Sequence, residues 1–337
     1  MKALKIVPDD TNINFIGARY IAFVFSAILL LGSIGLTVKN GLNFGIDFVG
    51  GTMIEIRVPV EQPDLADLRA RLNTLELGGV SIQEFGQPDD LLIRLPEQVE
   101  TPEEMAAREE CMDKFNNVGQ CPTAQSVAVE KVRAELEAAY PDDEVDYRRV
   151  EFVGPQVGEE LKQQGMYAIL FSLLGILAYI WFRFEWQFGV AAIVALAHDA
   201  IATIGLFALT QMEFNLSTVA AVLMIAGYSI NDTVVVFDRI RENLQKFKKK
   251  PLTELFNLSV NQMLSRTLMT SVTTLLALFA LWYFGGEVIR GFVNALIFGI
   301  AIGTYSSIFV AAPILLFMNI RKKAATPKES EGEPAKA

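Results

Sequence analysis

The sequence predicts a polytopic α-helical membrane protein with six transmembrane helices and one α+β domain of ferredoxin-like order outside the bilayer. Three observations predict it. Six apolar runs each approach the roughly 20 residues that a helix needs to cross a bilayer. Between the first and second runs, residues 39–164 hold no such run and have a length suited to one folded domain. Inside that segment, strand-like alternation and helical spacing follow one another as β-α-β-β-α-β, the split βαβ order. The chain has 337 residues, 52% of them hydrophobic, and a mean hydropathy of +0.33.

A short segment, 1–17, precedes the first span at 18–38. That run follows Lys2 and Lys5, is too long for a signal-peptide core, and lacks an A-x-A-like cleavage site behind it, which reads as an uncleaved anchor. Next comes 42–52, LNFGIDFVGGT, whose paired glycines allow tight backbone geometry beside a strand. Residues 53–58 alternate as a strand, and 63–75 carry helical spacing through Leu65, Leu68 and Leu72. Strands are expected at 80–85 and 90–95 around a turn at 86–89, then a helix at 126–139 and a last strand at 145–152. Residues 97–122 read as an acid-rich surface insertion carrying Cys111 and Cys121, the only cysteines. In an oxidising compartment, two such thiols are expected to pair as a disulfide.

Spans two to six are expected at 166–182, 188–209, 216–237, 267–284 and 292–318, within a membrane region of 165–320. The tail, 321–337, has almost nothing to bury and is expected to be disordered. Arg239, Arg241, Lys246, Lys248, Lys249 and Lys250 crowd the connection after span four, and Arg321, Lys322 and Lys323 follow span six. Lys and Arg favour the cytoplasmic side, so both termini are expected inside and the 39–164 domain outside, in the periplasm of a Gram-negative host. That domain carries 12 Lys and Arg against 26 Asp and Glu, which argues against nucleic acid as a partner.

No Walker phosphate loop, nucleophile elbow or HExxH motif occurs, and the single His198 lies far from both cysteines. A non-enzymatic protein without metal or cofactor is therefore expected.

The chemistry lies in polar groups at membrane depth. Asp232, next to Asn231 in GYSINDTVVVFDRIREN, is expensive there, and such carboxylates persist where a proton, ion or partner charge needs them. Its alternative is a packing carboxylate satisfied by Asn, Ser or Thr across helices. Arg266 opens span five on the same side and is expected to pair with Asp232, although a lone Arg at a helix start also serves orientation. His198 and Asp199 sit together in span three, either as a proton relay or as interhelical hydrogen bonders, and adjacent helical residues diverge by about 100°. Gly299 and Gly303 form a GxxxG spacing that admits a close helix neighbour.

FGIDFVGG at 44–51, VGPQVGEEL at 153–161, AHDAI at 197–201, the span-four motif at 227–243 and SRTLMTS at 265–271 together resemble the SecD/SecF family of the resistance-nodulation-division superfamily. The resemblance runs from the first span to the sixth. It implies a protein-export subunit that works with SecD and the SecYEG translocon, with YajC as a further partner, on unfolded exported polypeptides and with the proton gradient as energy source. It places the family's essential membrane aspartate on Asp232 and its essential arginine on Arg266. The cysteine-bearing insertion departs from the family pattern. Half of a small-molecule or lipid efflux pump, and a passive assembly scaffold, remain the rival readings.

Overall fold

The computed structural model describes residues 8, 11–100, 102–115, 121–141, 144–286, 288–318 and 320. In chain order its elements are α1 (Arg19–Asn40), α2 (Ile46–Val49), β1 (Gly51–Arg57), α3 (Leu65–Asn73), β2 (Ser81–Phe85), β3 (Gln87–Leu95), α4 (Pro102–Phe115), α5 (Ala124–Ala139), β4 (Asp146–Val153), α6 (Pro155–Arg183), α7 (Trp186–Thr210), α8 (Leu216–Lys246), α9 (Leu252–Phe284) and α10 (Arg290–Ser306). A π-helical turn, Ser307–Ala311, then leads into α11 (Ala312–Phe317). Two compact units result, one over Phe44–Tyr167 and one made of the described residues up to Asn43 and from Ala168 onward.

In the first unit the strands run antiparallel in the order β2-β3-β1-β4, the arrangement expected from a split βαβ chain. Alternation places Ile54, Ile56, Leu91, Ile93 and Leu95 on the buried face, where Leu68 and Leu72 of α3 and Val132 and Leu136 of α5 cover them. Asp64 caps α3 by accepting from the Ala66 and Asp67 amides, and Thr123 forms a capping box with Ser126 at the start of α5. The paired glycines do require their freedom: Gly50 and Gly51 have φ of 75° and 115°, and a Cβ on Gly51 would stand 2.4 Å from the Leu95 carbonyl oxygen. The expected turn at 86–89 is tighter than predicted, because Gly86 alone, at φ 93°, reverses the chain between Phe85 and its register partner Gln87. Beside it, Asp90 is buried against Arg57, whose Nε lies 2.7 Å away, and Arg148, at 3.1 Å. The hydrogen bonds that Arg57 donates to the Asp90 carboxylate hold its guanidinium above its usual range. The insertion at 97–122 is helical over α4, and Cys111 and Cys121 are joined by a disulfide across Cα atoms 5.8 Å apart.

Among the described residues, the second unit is a bundle built from six helices long and apolar enough to cross a membrane. Its helices outrun the apolar stretches that announced them. The backbone ladder of α6, α8 and α9 continues through polar residues such as Asn243 and Asn257, because helical bonding does not need an apolar side chain. The sixth span is not one regular helix: Pro313, which has no N–H to give, stands just behind the π-helical turn. Close approach is bought with small residues: a Cβ on Gly205 would meet the Ser33 Cα of α1 at 2.7 Å, and one on Gly299 would meet the Ile225 side chain of α8 at 2.3 Å. Phe188, Phe237 and Phe256 are buried in the apolar core near one end of the bundle. The expected tail at 321–337 lies outside the described residues.

Candidate functional site

Spans of this bundle bury few titratable groups, and those they bury gather around α8. On that helix Ser229, Asp232 and Thr233 fall within little more than one turn, so they face the same interior. From α7 comes Asp199, wholly buried. Its Oδ2 accepts hydrogen bonds from Ser229 Oγ at 2.5 Å and Ser306 Oγ at 2.7 Å, while its Oδ1 lies 2.9 Å from His198 Nδ1. One carboxylate thus ties α7 to α8 and α10.

The π-helical turn decides the next contact. Consecutive residues on a regular helix point about 100° apart, yet Ser306 and Ser307 are both fully buried, because the widened turn starting at Ser307 turns both inward. Ser307 Oγ shares a 3.0 Å hydrogen bond with Thr233 Oγ1. Gly303, a turn earlier, leaves room for the Ser229–Asp199 contact, since a Cβ there would lie 3.2 Å from Ser229 Cβ.

Asp232 faces α9. Thr267 Oγ1 donates to its Oδ1 at 2.8 Å, and its Oδ2 is buried without a hydrogen-bond partner. The expected ion pair with Arg266 is not formed. Thr267 points into the bundle, so Arg266, its neighbour on α9, is turned out of it and exposed, and reaches Asp232 only as a nearby charge. Asn231 is likewise exposed on α8. The structure therefore brings together Asp199, His198 and Asp232 with their hydroxyl partners, and leaves Arg266 and Asn231 on the outside of this chain. Cys111 and Cys121 belong to the other unit.

His198 is 2% exposed, and its ring lies 6.1 Å from that of Tyr305. The Tyr305 hydroxyl donates to the Ala22 carbonyl at 2.8 Å and stands 3.1 Å from Ser26 Oγ, carrying the polar seam to α1. Sequence reasoning missed Ser229, Thr233, Thr267, Tyr305, Ser306 and Ser307. Their signal was the i, i+4 spacing of Ser229 and Thr233 around Asp232 and the Ser-Ser pair within an otherwise apolar span. Chemically, the arrangement offers hydroxyl donors to two buried carboxyls and leaves one carboxyl oxygen and one imidazole nitrogen open to a proton.

Comparison with known proteins agrees with this architecture. The profile of the protein export membrane proteins SecD/SecF, C-terminal, matches residues 131–321, and that of the SecD/SecF GG motif matches residues 35–58, which include Gly50 and Gly51. The protein translocase subunit SecF of Rickettsia felis is 45% identical over 319 residues, covering 95% of this chain and 96% of that protein. SecF of Rickettsia prowazekii is 45% identical over 319 residues, 95% of each chain. The crystal structure of SecDF from Thermus thermophilus, a translocon-associated membrane protein, matches with a TM-score of 0.77 at 35% identity, over 93% of this chain but only 39% of that one. SecDF in its super-membrane-facing form matches with a TM-score of 0.62 at 35% identity, over 94% of this chain and 40% of that one. This multi-pass membrane protein belongs to the SecD/SecF family of protein export membrane proteins.

Proposed function

We propose that this chain is a subunit of the Sec protein-export machinery that, with a SecD partner, uses the proton gradient to promote translocation or release of exported polypeptides at the outer face of the membrane. The observation that carries the reading is Asp232, a carboxyl buried among membrane helices with Thr267 on one oxygen and nothing on the other. A charge held there is costly and a proton removes the cost, so the group discriminates between two states of the bundle. One proton crossing 100 mV releases about 2.3 kcal/mol, roughly a fifty-fold shift in a two-state equilibrium.

The partner follows from two features. SecDF chains are more than twice as long as the part matched here, which leaves room for a SecD half, and the exposed Arg266 and lipid-side faces of α1, α6 and α9 await a neighbour. The SecYEG translocon, YajC and unfolded polypeptides are further partners of this reading. The Lys and Arg cluster from 239 to 250 supports cytoplasmic termini and a periplasmic α+β unit in the bacterial inner membrane. Export into inverted vesicles, with the gradient imposed after ATP-driven insertion has begun, tests it. Asp232→Asn should leave complex assembly intact and abolish gradient stimulation; wild-type stimulation in that variant would overturn the proposal.

A further inference from the structure

Asp199 is well supplied. Two hydroxyls donate to Oδ2 and the imidazole Nδ1 stands at Oδ1, so both oxygens have a partner. His198 is the opposite case: Nδ1 is engaged, while Nε2 is buried with no partner. With Nε2 bare, the dyad carries a net charge of −1 inside the bundle. When Nε2 takes up one proton, the ring becomes imidazolium, the Nδ1–H to Oδ1 bond is untouched, and the dyad is net neutral. The groups facing it are Ser229 from α8, Ser306 and Tyr305 from α10 and, through Tyr305, Ser26 of α1. None of them brings a fixed positive charge, so a proton is the only compensation that these elements leave open. Of these groups Tyr305 is itself titratable, and Asp232, a carboxyl of α8, lies three residues beyond Ser229.

We propose that His198 and Asp199 form a second proton-binding site of the bundle, loaded and unloaded at His198 Nε2 and joined to Asp232 by hydroxyls. The inference rests on the proton-coupled reading above and deepens it. Ser306 binds Asp199, its neighbour Ser307 binds Thr233, and Thr233 adjoins Asp232, so the two sites are separated only by adjacent hydroxyls of the π-helical turn and α8. Repacking at that turn would open or close the connection.

His198 is the only histidine of the chain, so isotope-labelled histidine reports this ring alone when the full chain is purified with a histidine-free tag in lipid nanodiscs. Nitrogen NMR over a pH series should show Nε2 gaining its proton in a single step as the pH falls, with Nδ1–H kept throughout. Asp199→Asn should move the step by at least one pH unit, and Asp232→Asn should move it in the same preparation because the sites are coupled. In the vesicle assay His198→Gln, which retains hydrogen-bonding capacity, should cut gradient stimulation at least tenfold with assembly intact. A ring that keeps one protonation state over the whole range, or full gradient stimulation in His198→Gln, would overturn the inference. If Asp232→Asn keeps gradient stimulation while the ring titrates, the failure belongs to the Asp232 assignment and the second site stands.

Discussion

Thr267 Oγ1 donates to Asp232 Oδ1 at 2.8 Å, and Asp232 Oδ2 has no partner among the described residues. This contact, between α9 and α8, makes the carboxyl half satisfied. Thr267→Val keeps the volume and removes this donor, so the bundle should lose about 1–3 kcal/mol, and Thr267→Ser should restore most of it. Thermal unfolding in nanodiscs, followed by tryptophan fluorescence, measures both variants; equal stability of Thr267→Val and wild type would mean that the hydroxyl does not support Asp232.

Arg266 is exposed on α9 and reaches Asp232 only as a nearby charge. If a partner subunit supplies its acceptor, the planar fork matters more than the charge. Arg266→Lys should then lower gradient-stimulated export by roughly tenfold or more, the scale of one charge-assisted hydrogen bond. An active lysine variant would show that only a positive charge is needed at this position.

Gly205 and Gly175 provide an internal control for helix approach. A methyl group at Gly205 would stand 2.7 Å from the Ser33 backbone, whereas one at Gly175 meets nothing within 4 Å. Gly205→Ala is expected to cost about 1–3 kcal/mol by forcing α1 and α7 apart, and Gly175→Ala to be neutral or slightly stabilising. Parallel melting curves decide it, with equal shifts counting against close α1–α7 packing.

The disulfide between Cys111 and Cys121 closes a short loop in the α+β unit. Its removal by Cys111→Ser with Cys121→Ser should destabilise that loop by about 2–3 kcal/mol and speed its proteolysis while leaving the bundle unaffected. Mass analysis of unreduced protein after alkylation should find neither thiol modified; two alkylated cysteines would remove the premise.

Much of the fold could be read from local pattern. The six spans follow from runs of apolar residues, and the β-α-β-β-α-β order follows from periods of 2 and 3.6 that neighbouring residues create by themselves. Asp232, His198 and Asp199 announced themselves in the same way, as polar groups within apolar runs. What those groups touch was not legible. Asp199 meets Ser306 across 107 positions and Asp232 meets Thr267 across 35, and no local period encodes such distances. Arg266 and Thr267 were equally good partners for Asp232 on paper; the rotation of α9 about its own axis, set by packing against α8 and α10, turned one inward and its neighbour about 100° away. The inward pair Ser306 and Ser307 contradicts regular helical spacing and exists because the π-helical turn widens the backbone there. Sequence alone determined the spans, the strand order and the identity of the costly polar groups, because these depend on single residues and their near neighbours. Tertiary structure decided which of those groups are bonded and which are left open to a proton, because that depends on how separate helices rotate and approach.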